Sequence, residues 1–285
     1  MTINVDENAG FCWGVVQTVE KVEGSLLEND GRQVNILGEI IHNPQETKRL
    51  AEKGLNTIEV SDLDSLPANS KVIIRAHGEP PATYKKLIEK KIDYVDATCP
   101  LVQNLQKKVY KQYQEGRQII IYGKYSHPEI IGLRGVCENN CIVIQSKAEA
   151  DENIDFTRES SIFSQTTMNE DDFNRVIGYL KDKFPEDKLL INNSVCRFVI
   201  SRESKLKTFA KDNEIILFVA GRNSSNGKVL FNICQSANPN IHFIESIEEI
   251  SGEWFEGVSS VGITGATSTP QWYLNEVKDY IVSNY

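Results

Sequence analysis

The chain lacks the features that would direct a protein to a membrane, to secretion or to nucleic acid. No apolar run approaches the roughly 18 residues that a membrane-spanning helix needs. The first residues, MTINVDENAG, have neither the basic nor the apolar region of a secretory signal. The formal net charge of −9 argues against broad binding to nucleic acid or to anionic membranes. We therefore expect a cytoplasmic globular protein with neither a nucleic-acid nor a membrane partner.

Signatures of nucleotide binding are also missing. No G-x-G-x-x-G follows a strand-like run, which argues against a nicotinamide dinucleotide site. The segment GRNSSNGK (221–228) is not a P-loop, because five residues separate its glycines and valine follows its lysine. Ser224, Ser225 and Asn226 nevertheless precede a helical pattern, and polar groups at a helix start can bind an anion. Plain N-capping is the alternative, and both roles can hold together.

Histidine is scarce, which makes the position of each one informative. Three of the four lie at the ends of strand-like runs beside Pro or Gly: His42 in IIHNP, His77 in RAHGEP and His127 in YSHPE. With no partner carboxylate encoded beside them, such histidines can hold a phosphate through charge-assisted hydrogen bonds. His242, in NIHFIES, lacks this setting, and we interpret it as structural.

Apolar runs rich in Val and Ile alternate with helical patterns along the whole chain. They include VNILG (34–38), KVIIRA (71–76), QIIIYG (118–123) and IILFVAG (215–221). Because the runs show no polar alternation, they predict strands that are buried on both faces. The pattern therefore indicates an α/β fold in which helices cover parallel sheets.

A repeat of about 90 residues organises the polar side chains. Cys12, Cys99 and Cys196 are 87 and 97 residues apart, and each lies between a strand-like run and a helical pattern. Two further polar positions recur: His42, His127 and Ser224 in one series, and His77, Thr166 and Ser268 in the other. Ligands of open α/β sheets bind at the carboxyl ends of strands. The spacing predicts three units with strand ends facing a central cleft, although loops are polar in any protein.

Three convergent thiolates can hold an iron–sulfur cluster or a zinc ion. A four-iron cluster normally takes four cysteines, so three leave one iron open to a substrate. The alternative is three separate buried thiols. Of the other cysteines, we interpret Cys234, in LFNICQS, as a residue of the hydrophobic core. Cys137 and Cys141, in CENNC, have neither the third cysteine of a radical-SAM signature nor a second pair for zinc, so we expect no metal there.

Glu129 follows His127 by two residues, in SHPEI. A carboxylate beside an open metal site can pass protons to a bound hydroxyl. The alternative, which the sequence supports equally, is that Glu129 has only a structural role in the first turn of a helix, where the helix dipole favours a carboxylate.

These motifs, in this order, resemble those of the (E)-4-hydroxy-3-methylbut-2-enyl diphosphate reductase family, which carries out the last step of the non-mevalonate isoprenoid pathway. The segments that carry the resemblance are GFCWGV, EIIHNP, RAHG, DATCPLV, YSHPE, SQTT, GRNSSN and the C-terminal STP. They cover nearly the whole chain. Each segment alone is weak, whereas the ordered set is highly specific.

The resemblance implies a fold and a cofactor. Three similar parallel-sheet α/β units would surround a central cluster-containing cavity in a pseudo-threefold arrangement. We place them at 1–96, 97–193 and 194–285, with the N-terminal strand able to join the third unit. One [4Fe-4S] cluster per chain would be bound by the cysteines matching Cys12, Cys99 and Cys196, and the substrate hydroxyl would bind the unligated iron.

The resemblance also implies the remaining roles. Glu129, with Thr166, would deliver a proton to the leaving hydroxyl. A ferredoxin or flavodoxin would supply two electrons, and the products would be isopentenyl and dimethylallyl diphosphates plus water. The start at Met1 lacks a plastid transit peptide, and we expect no further domain after residue 285. The substrate and its diphosphate would be held by His42, His77, His127, Thr166, Ser224, Ser225, Asn226 and Ser268.

The segment after the third cysteine departs from the family pattern. The usual Ala-Thr pair is replaced by Phe198 and Val199, while Arg202 is kept. We expect this to change the surroundings of Cys196 and the redox potential of the cluster. The C-terminal motif is GATSTP where the family has Ala-Gly-Ala-Ser-Thr-Pro, which keeps Ser268.

Two other functions stay open from the sequence. A non-catalytic iron–sulfur sensor of the same architecture would need no diphosphate pocket. A zinc hydrolase that uses the histidines as ligands would be colourless, whereas a cluster protein is brown.

Overall fold

The computed structural model describes residues 1–28, 31–67 and 69–285. Within these ranges the chain forms twelve strands, ten α-helices and three short 3₁₀-helices. The strands are β1 Thr2–Val5, β2 Val34–Leu37, β3 Leu55–Ile58, β4 Lys71–Ile74, β5 Asp93–Asp96, β6 Gln118–Tyr122, β7 Cys141–Ile144, β8 Ser160–Ser164, β9 Leu189–Asn192, β10 Ile215–Val219, β11 Ile241–Ile244 and β12 Ser260–Gly265.

The α-helices connect these strands, as expected for parallel sheets. They are α1 Trp13–Leu27, α2 Pro44–Glu52, α3 Pro81–Glu89, α4 Pro100–Gln114, α5 Pro128–Val136, α6 Lys147–Asn153, α7 Glu170–Lys183, α8 Arg197–Lys211, α9 Ser225–Ala237 and α10 Gln271–Asn284. The 3₁₀-helices are Val60–Asp64, Ile247–Glu249 and Gly252–Phe255. None of the helices in the described ranges is both long and apolar enough to cross a membrane.

In the described residues the strands form three parallel sheets of four strands each. Their orders are β5-β4-β2-β3, β9-β8-β6-β7 and β1-β12-β10-β11. The same order recurs if β5, β9 and β1 are treated as equivalent edge strands. The predicted α/β class with three similar parallel-sheet units is therefore confirmed. The N-terminal strand β1 pairs with β12, and Val5 lies opposite Ile263.

Burial explains why the inner strands were visible in the sequence. Strands β6 (QIIIY) and β10 (IILFV) are buried at every position. The edge strand β1 (TINV) has alternate residues exposed. The predicted run 71–76 is longer than β4, because the chain turns where Gly78 N–H donates to Arg75 O (3.0 Å). Gly78 has a φ of +72°, a conformation that L side chains rarely adopt.

The chain divides into two compact units. The first unit comprises Met1–Leu26, Glu39–Leu55 and Arg197–Tyr285, and it contains the sheet with β1, β10, β11 and β12. The second unit comprises Leu27–Gly38 and Asn56–Cys196 and contains the other two sheets, apart from Leu55 at the start of β3. The proposed boundaries after residues 96 and 193 stay a prediction.

Candidate active site

Each of the three predicted cluster cysteines is half-buried at the start of a helix. Cys12 precedes α1, Cys99 is the N-cap of α4, and Cys196 precedes α8. The backbone N–H of each donates to a carbonyl just beyond a strand: Cys12 to Thr267 O (3.1 Å), Cys99 to Ala76 O (3.0 Å) and Cys196 to Thr166 O (2.8 Å). This shared hydrogen bond gives the three cysteines equivalent places in the three repeats.

A side-chain turn precedes each cysteine. In each turn a side-chain oxygen accepts a hydrogen bond from the backbone N–H two residues later: Asp6 from Asn8 (2.9 Å), Asp96 from Thr98 (2.9 Å) and Asn193 from Val195 (3.1 Å). Such turns let the chain leave a strand and enter a helix within a few residues. These three residues were not predicted, although an Asp or Asn at the end of a strand-like run is the available signal.

The surroundings of Cys99 suit a positively charged ligand. Burial raises the pKa of the Cys99 thiol, while the N–H groups of Leu101 and Val102 at the start of α4 oppose that rise. Negative charge on Cys196 and on Glu129 raises the pKa further, so these three groups of the second unit influence one another. Half-buried sulfurs at helix starts are the donors that soft metals and iron–sulfur clusters take. The sulfurs of Cys12, Cys99 and Cys196 are therefore donors of the kind that an iron–sulfur cluster takes.

Glu129 and Thr166 form a buried pair in the second unit. Thr166 N–H donates to Glu129 Oε1 (2.7 Å), and the Thr166 hydroxyl lies 2.6 Å from Glu129 Oε2. Only 1% of Glu129 is exposed. Burial raises the pKa of Glu129 to about 7, against the opposing effect of the two Thr166 hydrogen bonds. A carboxyl that titrates near neutrality can both hold and release a proton, and Thr166 gives it a hydroxyl through which to pass one.

His77 and His127 also meet in the second unit. Their ring centroids are 5.1 Å apart and the rings are nearly perpendicular. His127 is the N-cap of α5, and its Nδ1 accepts a hydrogen bond from Glu129 N–H (3.2 Å). Because Nδ1 accepts, the ring proton of His127 is assigned to Nε2. Neutral His127 therefore keeps one donor for an anionic oxygen.

His42 lies in the first unit, directly before Asn43, which caps α2. Its Nδ1 is 3.0 Å from Glu39 Oε2. The expectation that the motif histidines have no carboxylate partner is wrong for His42, because Glu39 reaches its ring from three residues earlier. The carboxylate fixes the orientation of the ring, as such partners commonly do for functional histidines. A cleft of about 320 Å³ opens beside His42.

Four predicted substrate-binding residues are buried in the first unit: Ser224, Ser225, Asn226 and Ser268. The Ser224 hydroxyl accepts a hydrogen bond from Gly227 N–H (2.9 Å), so Ser224 is the N-cap of α9. The hydroxyl oxygens of Ser224 and Ser268 lie 3.5 Å apart. The helix start thus gathers two hydroxyls where its backbone N–H groups also point.

Asn226 has a buried donor that faces no acceptor in the described part of the chain. Its Oδ1 accepts from Thr267 N–H (3.1 Å) and from the Thr267 hydroxyl (2.8 Å), which fixes the amide. Among the described residues, no hydrogen-bond partner is found for Asn226 Nδ2. Leaving a buried donor unsatisfied costs about 1–3 kcal/mol. An anionic oxygen at Nδ2 would remove this cost, so Asn226 fits the anion site predicted from its sequence.

Arg202, which the family pattern keeps, has a structural place in the first unit. It donates to Asp6 Oδ2 (2.7 Å) and to the Thr264 hydroxyl (2.8 Å), and the arginine and aspartate are almost fully buried. The Thr264 hydroxyl also donates to Asp6 Oδ2 (2.8 Å). Arg202 thereby ties α8 to β12 and to the turn that leads to Cys12. In α8, Val199 is buried and Phe198 is exposed.

Residues that we assigned to the core or to structure are found there. Cys234 is fully buried in an apolar cluster with Leu206 and Phe218. His242 stacks on Trp254, with ring centroids 3.9 Å apart and an interplanar angle of 6°.

Comparison with known proteins gives consistent matches over the whole chain. The family model described as LytB protein matches residues 3–282. The 4-hydroxy-3-methylbut-2-enyl diphosphate reductase of Chloroherpeton thalassium is 41% identical, over 100% of this chain and 98% of its own. The enzyme of the same name from Parabacteroides distasonis is 44% identical, over 96% and 95%.

Two solved structures resemble the chain. One is the structure of (E)-4-hydroxy-3-methyl-but-2-enyl diphosphate reductase, the terminal enzyme of the non-mevalonate pathway, with a TM-score of 0.74, 34% identity and coverage of 99% of this chain and 100% of the other. The other is the E-1-hydroxy-2-methyl-but-2-enyl-4-diphosphate reductase from Plasmodium falciparum, with a TM-score of 0.88, 26% identity and coverage of 99% and 88%. The family match, the full-length relatives and the shared fold together show that the chain belongs to the LytB family.

Proposed function

We propose that this protein reduces (E)-4-hydroxy-3-methylbut-2-enyl diphosphate to isopentenyl and dimethylallyl diphosphates. Membership of the LytB family supports the substrate and the reaction. The observation that carries the proposal is the buried Glu129–Thr166 pair, whose carboxyl has a pKa of about 7. Loss of the substrate hydroxyl as water needs a proton at that oxygen, and this pair is built to hold and deliver one.

The cofactor in this proposal is one [4Fe-4S] cluster, held by Cys12, Cys99 and Cys196. When bound, it would supply the two electrons of the reduction, for which a ferredoxin or flavodoxin would be the source. The support from the chain is the equivalent placement of the three half-buried thiols, each with its backbone N–H bonded to a carbonyl beyond a strand. The reaction consumes two electrons and two protons per substrate and releases one water.

Binding of the diphosphate is assigned to groups that donate hydrogen bonds. His42, His77 and His127 would donate from their rings, and Ser224, Ser225 and Ser268 from hydroxyls. Asn226 Nδ2 is oriented by Thr267, and neutral His127 keeps Nε2–H as a donor. Hydrogen bonds to a charged acceptor contribute about 1.5–3 kcal/mol each, so a few of them give firm binding.

The proton step is assigned to Glu129 and Thr166. The protonated carboxyl of Glu129 donates to the Thr166 hydroxyl, and that hydroxyl donates onward to the leaving oxygen. Burial keeps the carboxyl protonated for about half of the time at pH 7, because its pKa is about 7. After the step the ionised carboxylate is stabilised by the two hydrogen bonds from Thr166.

One anaerobic experiment tests the whole assignment. The protein is purified without oxygen, assayed for iron and sulfide, and given the substrate with a strong artificial reductant. The six Cys→Ser variants are compared, with Cys234→Ser as the control because Cys234 lies in the core. We expect a brown protein that forms both products and loses its iron only in the variants at Cys12, Cys99 and Cys196. A colourless zinc protein, or a brown protein without turnover, would contradict the proposed function.

A further inference from the structure

The CENNC segment brings two thiols together at the end of α5. Cys137 is the C-cap of this helix and is fully buried, whereas Cys141 begins the edge strand β7 and is half-buried. Glu138 and Asn139 have φ values of 54° and 60°, and Asn140 N–H donates to Cys137 O (2.7 Å). This tight turn reverses the chain, so that Cys141 packs against the apolar cluster that contains Cys137.

The two thiols have opposite environments. Cys137 Sγ lies 3.3 Å from Leu133 O and 3.4 Å from Arg134 O, at the helix C-terminus, where negative charge is disfavoured. Its hydrogen bond to Cys141 and its burial raise the pKa of Cys137. The same hydrogen bond, helped by the Arg134 guanidinium, lowers the pKa of Cys141 in spite of burial. Of the two thiols, Cys141 is the more accessible and the more acidic, whereas Cys137 is buried at the C-terminus of α5.

Other charged groups near the pair do not reverse this assignment. The Glu138 carboxylate follows Cys137 directly, and the Tyr113 hydroxyl donates to it (3.2 Å). Arg134 also stacks over the ring of Tyr125, at 4.0 Å from the centroid, which holds its guanidinium in place. An accessible thiol with a lowered pKa and a buried thiol behind it is the arrangement of reactive cysteine pairs.

We propose that Cys141 and Cys137 form a thiol–disulfide exchange site for low-molecular-weight disulfides. The Cys141 thiolate attacks one sulfur of the small disulfide, which forms a mixed disulfide and releases the first small thiolate. The Cys137 sulfur then attacks the Cys141 sulfur, forms the Cys137–Cys141 bond and releases the second small thiolate, and the Cys137 proton passes to that thiolate or to water. Two electrons move from the cysteine pair to the small disulfide, which leaves as two thiols.

Oxidised glutathione is the probe that tests this exchange. The intact protein is incubated with it under nitrogen at neutral pH, quenched with acid, alkylated and mapped by peptide mass. Wild type is compared with Cys137→Ser, Cys137→Ala and Cys141→Ser, and far-UV circular dichroism shows which variants are folded. Cys234 is the control within each sample, because burial raises the pKa of its thiol to about 12.

The variants separate the two steps. Wild type should end with a Cys137–Cys141 bridge, no retained glutathione and full reversal by a dithiol reductant. The Cys137 variants should keep glutathione on Cys141, and Cys141→Ser should react at least about tenfold more slowly than wild type. Two independent Cys137 variants guard against a folding defect in either one. Free Cys141 in wild type, a stable mixed disulfide in wild type, or normal loss of the Cys137 thiol in Cys141→Ser would each overturn the proposal.

Discussion

Two corresponding pairs, one in each compact unit, share a geometry and differ in chemistry. Glu129 is the second residue of α5 and accepts from both the N–H and the hydroxyl of Thr166, two residues beyond β8. Asn226 is the second residue of α9 and accepts from both the N–H and the hydroxyl of Thr267, two residues beyond β12. The repeat has placed the same hydrogen-bond arrangement at two strand ends.

The difference between the pairs is one functional group. In Glu129 both oxygens face Thr166, and burial raises the pKa to about 7, so the pair suits proton transfer. In Asn226 one oxygen takes both hydrogen bonds and the amide nitrogen is left as a buried donor, so the pair suits an anion. In the remaining repeat the position of the threonine is held by Ala76, which has no hydroxyl. The predicted equivalence of Thr166 with His77 and Ser268 is therefore wrong by one residue. The backbone thus fixes the geometry, and a single side chain decides what it can do.

The largest predicted effect comes from removing the acid. Glu129→Gln keeps the shape of the side chain but removes the transferable proton, so we expect kcat to fall by about 10²-fold or more. KM should change little, because the diphosphate is assigned to other residues. Steady-state turnover with an artificial reductant measures both.

Glu79 offers a matched control for this change. It is a buried glutamate of the second unit that accepts from a threonine, Thr83 (3.3 Å), and burial raises its pKa. Glu79→Gln should keep kcat within a few-fold of wild type. Near-normal turnover in Glu129→Gln would show that the proton comes from elsewhere, such as the substrate diphosphate.

Replacing the amide of Asn226 by a carboxylate should weaken substrate binding. Asn226→Asp keeps both hydrogen bonds from Thr267 but replaces the Nδ2 donor by a charged oxygen facing the proposed diphosphate. Loss of one hydrogen bond to a charged group is worth about 1.5–3 kcal/mol, which raises KM by about 10- to 150-fold. Asn223→Asp adds the same charge at an exposed position of the same segment and should have a much smaller effect. An equal rise in both variants would indicate general electrostatics instead of a specific contact.

Much of the fold was accessible from the sequence because the inner strands carry continuous apolar runs. Strands such as β6 and β10 are buried on both faces, and their composition reflects this. Strand β3 (LNTI) was not evident, because Asn56 and Thr57 are exposed and interrupt the apolar pattern. The lateral order of the strands depends on pairing over long sequence distances, which local composition does not encode.

The sequence indicated which residues form the candidate site, but it did not reveal all of their hydrogen-bond partners. The cysteines, histidines and hydroxyls lie at strand ends, where motif and periodicity can be read together. Thr267 was missed as the partner of Asn226, because 41 residues separate the two and only the sheet order brings them together. Glu39 was missed beside His42, since the chain between them forms no regular element that sequence patterns predict. The roles assigned to the site residues stay predictions.

A smaller effect on binding is expected at the N-cap of α5. His127→Phe keeps an aromatic ring but removes Nε2–H, together with the Nδ1 acceptor of Glu129 N–H. From the loss of Nε2–H we expect KM to rise by about tenfold, near the lower end of the range for a bond to a charged group. Visible absorbance of the cluster should be unchanged, because His127 is not assigned as a ligand of iron. His242→Phe, in a residue that stacks on Trp254, is the matched control and should leave KM unchanged. Loss of absorbance in His127→Phe would contradict the assignment.

The pH dependence of kcat should also distinguish the Glu129–Thr166 pair from the Asn226–Thr267 pair. The Glu129 pKa is raised from 4.5 to about 7, so the acid needed for turnover is present below pH 7 and is lost above it. In wild type, kcat should therefore fall by about tenfold between pH 6 and pH 8. Asn226→Asp should keep this profile at saturating substrate, whereas Glu129→Gln should lose it. A wild-type kcat that is flat or rises through pH 7 would exclude Glu129 as the acid.

The same shift has a consequence for stability, whose sign follows from proton uptake. The unfolded chain releases the Glu129 proton near pH 4.5 and the folded chain near pH 7, so the folded state binds more protons in between. The stability contributed by Glu129 is full below about pH 4.5 and falls as pH rises towards 7, by about 3 kcal/mol for a shift of this size. Glu129→Gln removes this dependence, whereas Asn226→Asp keeps it. Denaturant unfolding of the three proteins at pH 5 and pH 7.5 measures the difference, and an equal pH dependence in Glu129→Gln and wild type would show that Glu129 does not hold its proton in the folded state.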